Sequence, residues 1–213
     1  MLGAAFTLPP RPTVPVEGDK PFPVRRILCV GRNYAAHRAE MGGDDRDPPF
    51  FFAKPADAIV SPGENVPYPS ATADLHHEIE LVVAIGPDGI FGYAVGVDLT
   101  RRDLQAAAKA KGQPWDAAKG FDHSAPISAI RKLDRLGEAA ISLSVNGEVR
   151  QKAHIGDMIW SVAEIVEQAG KLWDIQAGDL IFTGTPEGVG PLSKGDLVEG
   201  SVEGVGSLSF EIV

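Results

Sequence analysis

The sequence lacks cysteine pairs, long apolar runs and an excess of basic charge, and each absence excludes a class of protein. Cys29 is the one cysteine among 213 residues, so no intramolecular disulfide framework can form, which suits a reducing cytosol. No apolar run approaches the roughly 18 residues that span a membrane, and the proline-rich start lacks the pattern of a signal peptide. The formal net charge of -9 argues against nucleic-acid binding, which needs a basic surface. We therefore expect a cytoplasmic protein whose partner is a small substrate or another protein, with no nucleic acid and no membrane.

The sequence does contain many glycines and prolines, 24 and 17 residues, which separate short apolar runs. Most of these runs are typical of strands, and few segments have helical periodicity. Asn146-Gly147 between two alternating segments predicts a tight hairpin. The pattern favours an α+β, β-rich fold with a few short helices, in which residues 1–21 are a proline-rich arm and 22–213 a single domain. Strands are predicted at 25–31, 48–55, 80–86, 91–100 and 204–213. Two more strands are predicted on either side of the turn within 141–153, and another begins at 178 and leads into a glycine-rich turn that ends at 190. Helices are predicted at 32–43, 101–112 and 158–175.

Two glutamates stand at the start of an apolar strand, where their charges need compensation. Glu78 and Glu80 alternate with apolar residues, so both side chains project from one face of the strand. A divalent cation such as Mg²⁺, Mn²⁺ or Ca²⁺ would turn their repulsion into ligation. Asp98, at the end of the next predicted strand, could supply a third ligand. The spacing equally allows an exposed strand face that forms surface ion pairs.

The two histidines that precede Glu78 and the three tryptophans are predicted to have structural roles. We expect His76 and His77 to hydrogen-bond locally rather than bind a metal. We expect Trp115, Trp160 and Trp173 to pack in the core or at an interface rather than stack on a substrate.

Seven ordered segments carry a resemblance that extends from about residue 22 to the C-terminus. They are CVGRNYAAHRAEMG, FFAKPADAIVSPGE, LHHEIELVVAIG, GYAVGVDLTRRDLQ, GQPWDAAKGFDHSAPIS, VNGEVRQ and GDLIFTGTPEGVGPLSKGD. Together they resemble the fumarylacetoacetate hydrolase family, in particular its short, single-domain fumarylpyruvate or acylpyruvate hydrolases. The resemblance implies a mixed β-strand roll, a homodimer, a Mg²⁺ or Mn²⁺ site and a small 2-oxo acid substrate.

The resemblance also implies roles for individual residues. Glu78, Glu80 and Asp98 match the family's metal carboxylates. Lys119 matches a lysine that lies against the bound 2-oxo acid. His37 and Glu40 match a catalytic dyad on a short lid helix. Residues within segments that line the pocket are Arg32, Arg102 and Thr185.

The residues themselves support part of this assignment. His37 and Glu40 are three apart, so on a helix they share a face, where the carboxylate can orient the imidazole and raise its basicity. A surface ion pair is the alternative for an isolated pair of this kind. The segment TGTPEGVG offers hydroxyls and backbone N–H groups that could bind an anion, although the same composition occurs in ordinary loops.

The function that these expectations favour is metal-dependent hydrolysis of a carbon–carbon bond in an acylpyruvate, with fumarylpyruvate as the first choice. The alternatives are an oxaloacetate decarboxylase and a hydratase or isomerase of the same family. One local departure is the short connection Pro87-Asp88-Gly89-Ile90, where relatives are expected to carry about a dozen more residues including a short helix.

Overall fold

The computed structural model describes residues 6–7, 9–34, 47–133 and 135–213. Strands dominate this part of the chain, as the α+β, β-rich prediction requires, and short helices connect them. The described α-helices are α1 (Arg102–Ala110), α2 (Asp116–Lys119) and α3 (Val162–Leu172), and two 3₁₀ turns span Ala56–Ala58 and Ile155–Asp157. The strands are β1 (Thr13–Val16), β2 (Asp19–Pro23), β3 (Arg26–Gly31), β4 (Phe50–Lys54), β5 (Ile59–Val60), β6 (Leu75–His77), β7 (Ile79–Gly86), β8 (Gly89–Val97), β9 (Thr100–Arg101), β10 (Ala125–Pro126), β11 (Ala140–Val145), β12 (Glu148–His154), β13 (Asp179–Phe182), β14 (Gly190–Leu192), β15 (Leu197–Val202) and β16 (Gly206–Glu211).

A central five-stranded sheet has the strand order β4-β3-β13-β7-β8. β13 runs parallel to β3, and the other neighbours in this sheet are antiparallel. Every residue of β7 is buried, because both faces of the sheet are covered. Leu81 and Val83 belong to one apolar cluster, whereas Val82 and Ala84 belong to another on the opposite face. The sheet therefore separates two layers of core.

The larger apolar cluster joins the central sheet to a four-stranded antiparallel sheet of order β12-β11-β15-β16. In this four-stranded sheet, β11 and β12 form the hairpin that was predicted from Asn146-Gly147. Both turn residues have a positive φ, 52° and 78°, which asparagine and glycine tolerate better than other residues. The hairpin prediction is confirmed, with β11 and β12 on either side of the turn.

The smaller cluster lies under a hairpin formed by β1 and β2. Val14, Val16 and Phe22 are buried there, so the hairpin adds apolar area to the core. This hairpin spans residues 13–23 and therefore crosses the boundary predicted between the arm (1–21) and the domain (22–213). The division into an arm and a domain stays a prediction.

Most predicted elements that fall on described residues occur where the periodicity places them, with bounds that differ by a few residues. The helix predicted at 32–43 lies mostly outside the described residues. α3 begins at Val162 rather than at residue 158, because Ser161 and Glu164 form a capping box that fixes the start of the helix. β7 and β8 are joined by a turn of residues 87 and 88, with Gly86 opposite Gly89. The short connection is therefore a tight hairpin. Within the described ranges, no helix has the length and apolar character needed to cross a membrane.

Candidate active site

Three carboxylates converge at one end of the β7–β8 hairpin. Ile79 pairs with Val97, and the Asp98 N–H donates to the Glu78 carbonyl across 2.8 Å, which places Glu78 and Asp98 opposite each other. Glu80 follows two residues later on the same face. Ligand atoms from these three residues all lie within 4.8 Å of one another. Glu78 is 8% exposed, Glu80 1% and Asp98 0%, so the alternative of an exposed strand face is wrong.

Lys119 extends into this cluster from the last turn of α2. Its Nζ lies 2.8 Å from Glu78 Oε2, 2.6 Å from Asp98 Oδ2 and 2.6 Å from Thr100 Oγ1. Burial alone lowers the pKa of Lys119, but the charges of Asp98 and Glu78 outweigh it and raise that pKa above its ordinary value. Lys119 therefore remains a fixed positive charge beside two of the carboxylates.

Lys54 is a second buried cation at the site, and it is not among the residues predicted from the sequence. Its Nζ lies 2.7 Å from Asp98 Oδ1 and donates to the carbonyl oxygens of Leu99, at 3.1 Å, and of Lys119. It therefore anchors both Asp98 and the end of α2. The available signal was a lysine at the end of the apolar run FFFAK, where burial requires an anionic or carbonyl partner.

Arg102 closes the side of the cluster next to α1. Its guanidinium donates to Glu78 Oε1 across 2.5 Å and to Gln105 Oε1 across 2.6 Å. Burial opposes ionisation of Glu78, but Lys119 and Arg102 outweigh it and lower the pKa of Glu78 to about 2. Arg102 thus lies at the site, as predicted, and it is engaged with a carboxylate of the protein.

Glu80 is the carboxylate with the least compensation. Its Oε2 accepts a hydrogen bond of 2.7 Å from the Gly184 N–H, and among the described residues no cation forms an ion pair with it. Burial, followed by the charges of Asp98 and Glu78, raises the pKa of Glu80 well above its ordinary value. Gly184 has a φ of 97°, and a Cβ there would lie 2.7 Å from the Cβ of Asn33, so glycine is required.

These observations fit a divalent metal ion. Three buried carboxylates provide the hard oxygen donors that Mg²⁺ and Mn²⁺ prefer, and Glu80 lacks the positive charge that such an ion would supply. Glu78, Glu80 and Asp98 are the residues that could hold it, as predicted from the sequence.

A buried hydrogen-bond network supports the site from the four-stranded sheet. Gln151 Oε1 accepts from the Ile79 N–H at 3.1 Å and lies 2.9 Å from His77 Nδ1. Its Nε2 donates to Thr185 Oγ1 at 2.8 Å and to the Pro186 carbonyl at 2.9 Å. His77 thus bonds to a residue distant in sequence. His76, in contrast, has the predicted local partner, with its Nε2 lying 2.9 Å from Asp74 Oδ1.

Two of the three carboxylates, Glu78 and Glu80, line a small pocket that brings most of the predicted site residues together. Arg32, Arg102, Lys119 and Thr185 line it with Glu78 and Glu80. His37 and Glu40 lie outside the described residues.

Trp115 also lines this pocket, whereas Trp160 and Trp173 pack against the larger core cluster. Trp160 and Trp173 therefore pack against the core, as predicted, whereas among the described residues neither core cluster contains Trp115. An interface role for Trp115 stays a prediction. Its neighbours Phe50 and Phe52 reach it from β4 across a long sequence separation, so local periodicity could not place it.

The family model described as "Fumarylacetoacetate (FAA) hydrolase C-terminal" matches residues 26–213. The chain belongs to the fumarylacetoacetate hydrolase family. Among solved members, fumarylpyruvate hydrolase from Pseudomonas aeruginosa, in complex with Mn²⁺ and pyruvate, superposes with a TM-score of 0.94 at 46% identity and with 99% of both chains covered.

Other members of the fumarylacetoacetate hydrolase family carry different activities in their names. The oxaloacetate tautomerase YcgM of Escherichia coli is 41% identical over 190 residues, which cover 82% of this chain and 87% of that protein. The mitochondrial oxaloacetate decarboxylase of Dictyostelium discoideum is 36% identical, and the alignment covers 89% of this chain and 94% of that protein.

Proposed function

We propose that this protein is a divalent-metal-dependent acylpyruvate hydrolase, with fumarylpyruvate as substrate and with fumarate and pyruvate as products. The observation that carries the proposal is the likeness to the Pseudomonas aeruginosa fumarylpyruvate hydrolase, which covers 99% of both chains. The buried carboxylates with Lys119 beside them support it, because they provide a metal site and a fixed positive charge in one pocket.

Glu78, Glu80 and Asp98 would hold the metal, which when bound acts as a Lewis acid toward a 2-oxo acid. Lys119 contributes a permanent ammonium where negative charge develops during cleavage. The Thr185 hydroxyl lines the same pocket, accepts a hydrogen bond from Gln151 and would donate its own proton to a substrate oxygen. The pocket is therefore built to stabilise an enolate.

The reaction needs one water molecule and two proton transfers. His37, oriented by Glu40, removes a proton from water, whose oxygen adds to the acyl carbonyl carbon next to the methylene of pyruvate. The carbon–carbon bond then breaks, and its electron pair forms the enolate of pyruvate while the acyl group leaves as a carboxylic acid. The proton held by His37 returns to the enolate carbon, which completes pyruvate.

Oxaloacetate tautomerisation or decarboxylation is the second candidate. It is favoured by the names of the two relatives that are 41% and 36% identical to this chain. Either reaction also passes through an enol or enolate of a 2-oxo acid, so Lys119 would serve in the same way. Neither reaction needs an activated water, and this difference separates the two candidates.

A substrate panel tests the proposal. Purified protein with Mg²⁺ or Mn²⁺ is given fumarylpyruvate, acetylpyruvate and oxaloacetate, and pyruvate release and oxaloacetate tautomerisation are measured with and without EDTA. We expect acylpyruvate cleavage that EDTA abolishes. Oxaloacetate turnover with no acylpyruvate cleavage would reject the hydrolase and support the second candidate.

The water-activation role has its own control pair. His37→Ala should lower acylpyruvate cleavage by about a hundredfold or more, which is the usual contribution of a general base. His154→Ala removes an exposed histidine that does not line the pocket and should leave the rate near that of the wild type. Equal rates in both variants would contradict a base at His37.

The homodimer and the cytoplasmic location expected from the sequence complete the proposal. Light scattering after size-exclusion chromatography measures the first, because a homodimer has twice the 22.5 kDa mass of the chain. Fractionation of the source cells measures the second.

A further inference from the structure

The pocket at the carboxylates is too small for a whole acylpyruvate. It encloses about 40 Å³, whereas pockets for small molecules usually measure about 300–1,000 Å³. A groove of about 680 Å³ adjoins it. The two share Arg32, Phe52, Lys109, Trp115 and Lys119, so the acyl part of a substrate whose 2-oxo acid end lies at the carboxylates can extend into the groove.

One wall of the groove is aromatic. The ring centroids of Phe50 and Trp115 are 4.8 Å apart, and those of Phe52 and Trp115 are 6.0 Å apart. Phe50 is 47% exposed, although burial of an apolar side chain of this size lowers the free energy. This wall offers flat apolar surface to a flat, conjugated chain.

Two cations border the same groove. Lys109 Nζ lies 4.9 Å from the centre of the Trp115 ring, and Arg32 has a left-handed backbone with a φ of 60°. Neither side chain forms an ion pair or hydrogen bond with any described residue. Arg102, in contrast, is already engaged with Glu78 and Gln105.

The charges in this region are unbalanced. Burial, followed by the positive charges of Arg102 and Arg32, lowers the pKa of Lys109. Among the described residues, Asp116 is the one acidic residue that lines the groove, and it forms no ion pair with Lys109 or Arg32. An anion in the groove would relieve the repulsion among these cations.

We propose that the groove binds the acyl group and that Lys109 and Arg32, which line both cavities, bind a carboxylate carried by that group. The inference rests on the proposed function and adds the residues that select acylpyruvates whose flat acyl chain ends in a carboxylate. Lys109 is then a specificity residue, because it contacts the carboxylate of the acyl group and none of the reacting atoms.

The first experiment compares two substrates in one variant. Lys109→Met keeps the apolar stem against Trp115 and removes the charge. We expect the ratio of kcat/KM for fumarylpyruvate to kcat/KM for acetylpyruvate to fall about tenfold or more, mainly through KM for fumarylpyruvate. Lys109→Arg should restore part of the ratio, and Lys111→Met, which removes a lysine outside both cavities, should leave it unchanged.

The second experiment needs no turnover. With Mg²⁺ present, isothermal titration measures binding of 2-oxoheptanedioate and 2-oxoheptanoate, which differ in a distal carboxylate against a methyl group and lack the carbonyl needed for hydrolysis. We expect the wild type to bind the dicarboxylate more tightly, and Lys109→Met to lose that preference.

The two experiments distinguish a failure of the proposed function from a failure of the proposed anion site. If the wild type cleaves no acylpyruvate but prefers the dicarboxylate through Lys109, the proposed function fails and the anion site stands. If it cleaves acylpyruvates while Lys109→Met leaves both the rate ratio and the binding preference intact, the anion site is wrong and the proposed function stands. A uniform loss on both substrates would likewise reject a role in specificity.

Discussion

Gln151 Nε2 donates a hydrogen bond to Thr185 Oγ1 across 2.8 Å, and this bond decides where the Thr185 hydroxyl can donate. The orientation of the Gln151 amide is fixed, because the Ile79 N–H can only donate and the Pro186 carbonyl can only accept. Since Thr185 Oγ1 accepts from Gln151, its own proton is free for an acceptor in the pocket. Gln151 therefore holds the Thr185 hydroxyl in this orientation, and we expect it to affect catalysis through Thr185.

Replacing Gln151 by Met should affect both stability and catalysis. The buried Ile79 N–H and Pro186 carbonyl lose their partner, so the free energy of unfolding should fall by about 1–3 kcal/mol in urea titrations. The kcat/KM on the preferred substrate should also fall, because Thr185 can then turn its proton away from the pocket.

A double-mutant cycle distinguishes positioning from general destabilisation. On a Thr185→Val background, Gln151→Met should lower kcat/KM much less than it does in the wild type, since the hydroxyl is already absent. Gln168→Met on α3, outside the pocket, serves as the control for the amide-to-thioether change. Additive losses would mean that Gln151 does not act through Thr185.

The network explains why the sequence revealed only part of the site. Glu78, Glu80 and Asp98 were predictable because they lie within or directly beside two consecutive strands of one hairpin, where period-two alternation and antiparallel pairing determine the face of each side chain. Gln151 and Lys54 were not, because the hydrogen-bond partners of Gln151 lie 34 to 74 residues away and those of Lys54 lie 45 and 65 residues away. No local pattern encodes such distances.

The strands likewise could be predicted only where a local sequence pattern determines them. β7 and β8 were predicted because most of their residues are apolar or aromatic, whereas β15 was not predicted. Its Gly200 interrupts the apolar pattern, and the reason lies in the other sheet. A Cβ at Gly200 would come within 2.5 Å of Ile79 Cδ1, so a larger residue on this strand would require the buried Ile79 side chain to move.

Lys54 gives a prediction about stability. Replacing it by Met removes one partner of a buried ion pair, since Lys54 Nζ and Asp98 Oδ1 are 2.7 Å apart and both side chains are fully buried. The free energy of unfolding should fall by about 3–5 kcal/mol, as measured by urea titration. Lys132→Met, which breaks an exposed pair with Asp19, should leave stability nearly unchanged. Similar losses in the two variants would contradict the structural role of Lys54.

Cys29 should be unreactive in the folded protein. Its side chain is completely buried, and burial, followed by the charge of Asp98, raises the pKa of the thiol well above its ordinary value. Because the thiolate is the reactive form, iodoacetamide at pH 8.5 should label native protein far more slowly than protein unfolded in urea. Since Cys29 is the one cysteine, mass spectrometry of the intact chain measures its labelling directly. Equal rates in the two states would contradict the burial.

Metal binding should stabilise the protein through Glu80. A ligand that binds only the folded state raises the free energy of unfolding by about 2.7 kcal/mol when its concentration is a hundred times its Kd. We therefore expect Mg²⁺ or Mn²⁺ to raise the Tm of the wild type and EDTA to reverse the change. Glu80→Gln should lose this response, because an amide oxygen carries no charge to hold the ion.

The same variant makes an opposite prediction in EDTA. Glu80 is a buried carboxylate without a cationic partner among the described residues, so a neutral amide of the same shape removes a cost of charge burial. Glu80→Gln in EDTA should therefore be at least as stable as the wild type in EDTA. Glu167→Gln on α3, which forms an exposed pair with Lys171, should retain the full metal response. If Mg²⁺ stabilised Glu80→Gln as strongly as the wild type, Glu80 would not be a metal ligand.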